Sequence, residues 1–393
     1  MSRRITLPQR RARLARRHLL GPARVGRVED VAAGLVALHA TDPATVHLAA
    51  GARSRAPSVE AVERALYEER TLVRMLGMRR TMFVVPRDSV PVVQAACTDT
   101  VAANQRRLLV RHLTEAGVVA DPAGWLTEVG EATVRALAAR GEATATELAE
   151  AEPRLQTKLT LAAEKSYAAT VNVTTRVLNI LAADGRIVRG RPRGSWISSQ
   201  YRWSTVEDWL PGGLPAWSAG TARTELARQW LYRYGPAAAA DLRWWAGWTA
   251  TELRQALADL ELVEVELPGG GTGVLLATDA EPVPDDLPPW VALLPALDPT
   301  VMGWAARDWY LGPHAPALFD RTGNAGPTVW SCGRVIGGWA QARTGEVRYR
   351  LLEDVGTETA GQVERAAAEL TGWLGPVRVT PRFRTPLERE LSG

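Results

Sequence analysis

Apolar positions recur at helical spacing over residues 9–20 and again over 28–39, where Val28, Val31, Leu35 and Leu38 fall on one side. Asp42-Pro43 is expected to end that second helix, because proline disfavours helical geometry in the residue before it. A third helix is predicted over 58–69, followed by the strand-like run TLVRMLGMRRTMFVV, which stops at Pro86. Residues 88–117 read as one long helix with the basic end NQRRLLVRHL. One pattern then occurs twice. In the first copy, helices over 125–140, 145–150 and about 170–183 precede the alternating run RIVRGRPRGSWISSQYRW, with a turn at Pro192–Gly194. In the second, helices over 221–234, 238–245 and 249–260 precede LVEVELPGGGTGVLLA. Thr249 followed by Glu252 has capping-box spacing and sets the start of the last of these helices.

Three helices leading into a two-stranded hairpin form the winged-helix plan, whose usual work is to place one helix in a major groove with the hairpin beside it. The N-terminal segment follows the same plan less clearly. Beyond the proline- and acid-rich linker EPVPDDLPPW come LLPALDP and the alternating run TVWSCGRVIGGWAQARTGEVRYRLL. Gly333-Arg334 is the expected hairpin tip, 358–373 an amphipathic helix, and VRVTP a closing strand. The fold class expected is α+β: three tandem winged-helix modules and a small C-terminal antiparallel β domain. The boundaries drawn are 1–118, 119–212, 213–282 and 283–393.

Net charge is only +4, but the charges are clustered. Between Arg3 and Arg27 lie nine arginines and no carboxylate; Arg186, Arg189, Arg191, Arg193 and Arg202 likewise have no acid among them in sequence. Arg378, Arg382 and Arg384 follow in the tail. Such clusters concentrate phosphate, so double-stranded nucleic acid is the expected partner. The second hairpin is acidic and glycine-rich, poor for phosphate. No apolar run is long enough to span a bilayer, and the basic start lacks the apolar stretch of a signal peptide. A cytoplasmic monomer, associated with the nucleoid when bound to DNA, is therefore expected. The two cysteines, Cys97 and Cys332, lack metal-ligand spacing, and no phosphate-cradling glycine loop occurs; neither a metal nor a cofactor is expected. Trp244, Trp245 and Trp248 read as packing between modules.

Candidate chemistry is concentrated in GLVALHATDPATVHLAAGARSR, where His39, Thr41 and Asp42 lie together at a presumed helix end, with His47 following. A histidine there can exchange a proton near neutral pH; equally, Thr41 or Asp42 can simply cap the next helix.

This segment, with LVRMLGMRRTMFVVP, LLPALDPTVMGWAARDW and GRVIGGW, resembles over almost the whole chain the bacterial winged-helix family that contains crosslink-unhooking DNA glycosylases conferring resistance to azinomycin-type antibiotics. The resemblance implies a monofunctional glycosylase for N7- or N3-alkylated purines, including bulky adducts or interstrand crosslinks. The alternative is a non-catalytic winged-helix DNA-binding protein or regulator. Where the family has Gln-x-Gln, or Gln-x-Asp and His-x-Gln, this chain reads His39-Ala40-Thr41, a departure that puts a shorter side chain second. His39 would hold or deprotonate the attacking water, Thr41 would orient it and Asp42 would lend negative charge. Arg74, Arg79, Arg80, Arg189, Arg191 and Arg193 are the expected phosphate contacts, and Arg334 a minor-groove probe by analogy.

Overall fold

The computed structural model describes residues 3–161, 169–281 and 283–393; Lys165 and the linker's Pro282 lie outside them. Both central copies are present. The first comprises helices Pro122–Arg140, Ala145–Ala151 and Thr174–Ala183 with hairpin Ile187–Pro192/Tyr201–Thr205. Its core is its own, built on Leu126, Val129, Leu148, Val177 and Leu181. The second comprises helices Ala219–Tyr234, Ala239–Ala246 and Ala250–Ala258 with hairpin Leu262–Glu266/Thr272–Leu276, and the Thr249–Glu252 capping box forms. Its core is shared with the N-terminal segment. Trp230 and Tyr234 are fully buried there, and the Tyr234 hydroxyl donates to Leu35 O at 3.0 Å.

Four expectations are corrected. The helix starting at Val28 ends at Gly34, and Val36 turns the chain at φ +64°. Leu38–His39 becomes an edge strand against Met82–Pro86, with Leu38 opposite Val84 and His39 opposite Phe83. The apolar side assigned to one long helix is thus split between a helix and a strand, both of which bury it. Second, the third helix of the first copy starts only at Thr174, because the β-branched run before it pairs Ala169–Asn172 with Lys158–Leu161. Third, VRVTP forms no ladder; the Gln341 side chain holds it instead, donating to Val377 O and accepting from Val379 N at 2.8 Å. The C-terminal sheet therefore has four antiparallel strands, Val291–Leu294, Thr328–Ser331, Arg334–Gln341 and Val347–Leu351, in that order.

The fourth correction concerns the basic N-terminus. Arg3–Arg4 adds a parallel strand to the acidic second hairpin, with Arg4 opposite Glu266. Arg13 and Arg17 both pair with Asp279, and Arg16 reaches Asp286 at 2.9 Å. Charge that stood out as an unopposed cluster in the sequence is opposed by acids from 262–286, so this arm is largely spent inside the fold.

Arg53 joins the N-terminal segment to the C-terminal part. Its guanidinium meets the Asp298 carboxylate with two bonds of 2.8 and 2.7 Å, and neither side chain is exposed. The remaining donors go to His18 O, Ala49 O and Thr300 Oγ1. A buried pair stripped of one partner leaves an uncompensated charge, so Asp298→Ala should cost about 3–5 kcal/mol in urea unfolding. Asp298→Leu combined with Arg53→Met should cost less than Asp298→Ala alone. Equal stability of Asp298→Ala and the parent would show that the pair does not hold these parts together.

Candidate active site

His39 enters the site from an edge strand, not from a helix end. It is 4% exposed, and its ring lies 5.0 Å from Phe83, its cross-strand neighbour. Nδ1 accepts the Thr41 backbone N–H at 3.4 Å, which puts the single proton of the neutral ring on Nε2. Burial, with the Arg79 guanidinium adding to it, pushes the His39 pKa down to about 3. The imidazole is therefore a neutral donor through Nε2. The half-buried Thr41 accepts the Met82 N–H on Oγ1 at 3.4 Å, which leaves its own O–H and a lone pair free for a ligand.

Asp42 does the work of a cap. One oxygen accepts from Ala44 N at 3.1 Å at the start of helix Pro43–Gly51, and the other accepts from Arg382 N at 3.0 Å. Burial raises its pKa, and those two N–H groups draw it back. Its carboxylate is turned toward backbone, away from a role as free negative charge beside the reacting sugar.

Arg74 is turned inward. It is 4% exposed, donates to Ala40 O at 3.0 Å and lies 4.9 Å from the Tyr201 ring. This geometry fixes the peptide between His39 and Thr41 and takes Arg74 away from a DNA backbone. Around it lie polar atoms with no partner, Arg74 Nε and the Tyr201 hydroxyl, and the buried ring of His47. Trp196, from the loop after Pro192, closes over His47 at 4.9 Å. The first hairpin thus packs its loop onto the N-terminal segment. Trp196 and Tyr201 were not legible as site neighbours, since nothing in a wing sequence says that it folds inward.

The expected phosphate contacts separate in the same way. Arg189 is nearly buried, bonded to Asn179 at 2.6 Å and placed over Trp203 at 4.6 Å. Arg191 pairs with Glu63 at 2.9 Å and Glu68 at 3.1 Å, acids that come from a different segment. Arg193 is exposed and makes no ion pair among the described residues. Arg79 and Arg80 form the tip of the hairpin Leu72–Leu76/Met82–Pro86, both with left-handed φ. Arg80 is exposed, whereas Arg79 stacks on Trp244 at 4.0 Å. Arg334 is paired with Glu353, and its hairpin tip is closed against the N-terminal helix, where a Cβ on Gly333 would lie 2.6 Å from Arg11 Cβ. That tip is not shaped as a free groove probe. Among the described residues, no group of three or more His, Cys, Asp or Glu is placed to hold a metal ion, and no helix is long and apolar enough to cross a membrane.

A model of the family described as DNA glycosylase AlkZ-like matches residues 32–373, most of the chain, His39, Thr41 and Arg74 included. The chain belongs to the AlkZ-like DNA glycosylase family. Membership makes it, in general terms, a DNA-binding hydrolase of the glycosylase kind with an α+β, winged-helix-related architecture. The solved structure of Streptomyces sahachiroi DNA glycosylase AlkZ is similar over 96% of this chain and 99% of that one, with a TM-score of 0.73 and 22% identity. At that identity the likeness speaks for the fold. No curated protein matches. In this AlkZ-like chain, the polar pair on the Leu38–His39 edge is His and Thr.

Three buried histidines make acid stability a direct check on the geometry. His39 and His47 are pushed down to about 3 and His18 well below its ordinary value, in each case first by burial. The unfolded chain takes up protons below about pH 6.5 while the folded one does not, so stability is intact above that pH and falls as the pH drops toward 3. Each histidine contributes a slope of up to about 1.4 kcal/mol per pH unit. Urea midpoints between pH 7 and 5 should fall accordingly, and His47→Asn should flatten the dependence by one histidine's share. A midpoint unchanged over that range would mean that these rings titrate normally.

Proposed function

We propose that this protein hydrolyses the N-glycosidic bond of N7- or N3-alkylated purines in duplex DNA, bulky adducts and interstrand crosslinks included. The observation that carries the reading is the neutral His39–Thr41 pair, held by Arg74 on a sheet edge, in a chain of the AlkZ-like family. Alkylation makes the purine cationic, so it departs without strong acid catalysis. What the protein must supply is a placed water and surroundings that tolerate a sugar cation. His39 Nε2–H holds the water oxygen, and Thr41 Oγ1 accepts one of its hydrogens. As the bond from C1′ to the base nitrogen breaks, its electron pair leaves with the purine. The water oxygen then bonds C1′ and its proton passes to solvent. A charged imidazolium would repel the developing cation, so burial keeps His39 in the useful form. Deprotonation of water by His39 is not part of this mechanism, because Nδ1 is already an acceptor for Thr41.

The test is release of an N7-alkylguanine from a labelled duplex by purified protein without added metal. His39→Ala, which removes a positioned donor, should slow release by roughly a hundred- to a thousandfold while affinity for undamaged duplex stays within about threefold. His39→Gln, which keeps an N–H donor, should retain more activity than His39→Ala. The rate should show no acid limb near pH 6.5. Duplex binding without release from simple or bulky adducts would instead favour a non-catalytic DNA-binding protein.

Binding should depend on Arg193 among the three hairpin arginines. Arg193→Gln should reduce the slope of log affinity against log salt by about one unit. Arg191→Gln should leave it nearly unchanged, because Glu63 and Glu68 already neutralise that side chain. Equal losses for both variants would mean that the Arg191 ion pairs open on DNA.

A further inference from the structure

Trp244 differs from its tryptophan neighbours. Trp245 and Trp248 are buried, whereas Trp244 is half exposed and shared by two guanidiniums, Arg79 at 4.0 Å and Arg307 at 5.1 Å from its ring centre. The three residues come from distant parts of the chain: a hairpin tip, the short helix Ala239–Ala246 and the loop before Asp308–Leu311. The placement is built. Arg79 has left-handed φ, and its backbone lies against Gly247, where a Cβ would approach Arg79 N at 3.2 Å. Asp241 accepts the backbone N–H groups of Ala305 and Ala306 at 3.0 and 2.9 Å, which sets the loop carrying Arg307. Arg307 also lies 4.7 Å from Phe319 and donates through Nε to Trp304 O at 3.2 Å.

No carboxylate among the described residues is ion-paired with Arg79, Arg80 or Arg307, and Arg79 Nε is buried without a partner. Asp241 uses Oδ1 on the Ala305 and Ala306 N–H groups, and it, Asp308 and Arg307 all act electrostatically on Tyr310, with no ion pair to Arg307 from either acid. Two like charges held on one indole without a counterion repel each other, and burial and Arg307 do lower the pKa of Arg79, to about 10. Such a pair is relieved by an anion. Arg79 and Arg80 tip the hairpin whose Met82–Pro86 strand pairs with the strand carrying His39, so this pair belongs to the same sheet as the candidate site.

We infer that Arg79, Trp244 and Arg307, with the exposed Arg80 at the rim, form a subsite for one backbone phosphodiester of DNA flanking the nucleotide presented to His39. Trp244 holds the two guanidiniums in a fixed geometry, so that little side-chain entropy is lost on binding. This rests on the glycosylase reading for its position beside the reacting nucleotide, and on duplex binding for its ligand.

The experiment is a salt titration of a fluorescently labelled undamaged duplex, followed by a scan in which single phosphates are replaced by neutral methylphosphonates. Arg307→Gln should weaken binding and lower the salt slope by about one unit. One methylphosphonate position should reproduce that loss in the parent and add nothing in Arg307→Gln. Ala306→Glu, at an exposed position beside the pair, should weaken binding similarly and serves if Arg307→Gln does not fold. Arg307→Lys should keep the slope. An unchanged slope in Arg307→Gln and unchanged affinity in Ala306→Glu, with the parent binding normally, would overturn the subsite alone. A parent that binds no duplex at any salt concentration would instead remove the DNA reading itself. Base release lost in the parent while duplex binding and the slopes behave as expected would leave the phosphate contact standing and remove only its place beside a reaction.

Discussion

Arg53 and Asp298 are separated by 245 residues, and both are fully buried. A charge pair without water is tolerable only when every donor is used, and here the guanidinium satisfies Asp298, Thr300 and two backbone carbonyls. The consequence is geometric. Helix Pro43–Gly51 is tied at its C-terminal end to the loop that continues to Trp304 and Arg307. At its N-terminal end, Asp42 ties it to Arg382. The edge strand carrying His39 leads into this helix, so the candidate site inherits its rigidity from contacts with the last quarter of the chain. Tyr234 adds a third tie, donating to Leu35 O and accepting at its own carbonyl from Trp304 Nε1.

The same long-range logic governs charge. An acid-free run of arginines in sequence is not an acid-free surface. Arg186, just before the first hairpin, is met by Glu131, Arg191 by Glu63 and Glu68, and Arg202 by Glu142. The basic N-terminus and the acidic second hairpin, which looked like opposite functions, are neighbouring strands of one sheet. Of the arginines that the sequence pointed to for phosphate, Arg79, Arg80 and Arg193 are in no ion pair with a carboxylate among the described residues. Clusters that read as unopposed in the sequence are thus partly neutralised by acids distant in the chain.

Much was legible from local pattern. Both central three-helix-and-hairpin copies follow from periodicity, caps and turn residues. The Thr249 capping box marks its helix start to the residue. The polar cluster at His39-Ala40-Thr41-Asp42 was legible too, including the possibility that Asp42 caps a helix. The strand at Leu38–His39 was not, because Val28, Val31, Leu35 and Leu38 satisfy helical spacing and only the presence of Phe83 and Val84 opposite makes an extended path better. Nor could a sequence say which arginines turn inward. Arg74 and Arg80 occupy one hairpin six residues apart, yet one bonds Ala40 O and the other faces solvent.

The departure from the family's Gln-x-Gln pattern then has a physical reading. A glutamine offers one donor group and one acceptor, on a flexible stem. A neutral histidine also offers one donor and one acceptor, on a shorter stem with fewer rotatable bonds. In His39 the acceptor is committed to Thr41 N, so the ring is orientated by the motif itself and the donor is left on Nε2. Threonine in turn supplies a hydroxyl that donates and accepts. The hydrogen-bonding valence needed to hold a water survives the replacement, while the reach of the second side chain shrinks. The environment completes the exchange: burial beside Arg79 keeps the His39 ring neutral, so that it offers the same uncharged donor and acceptor as a glutamine.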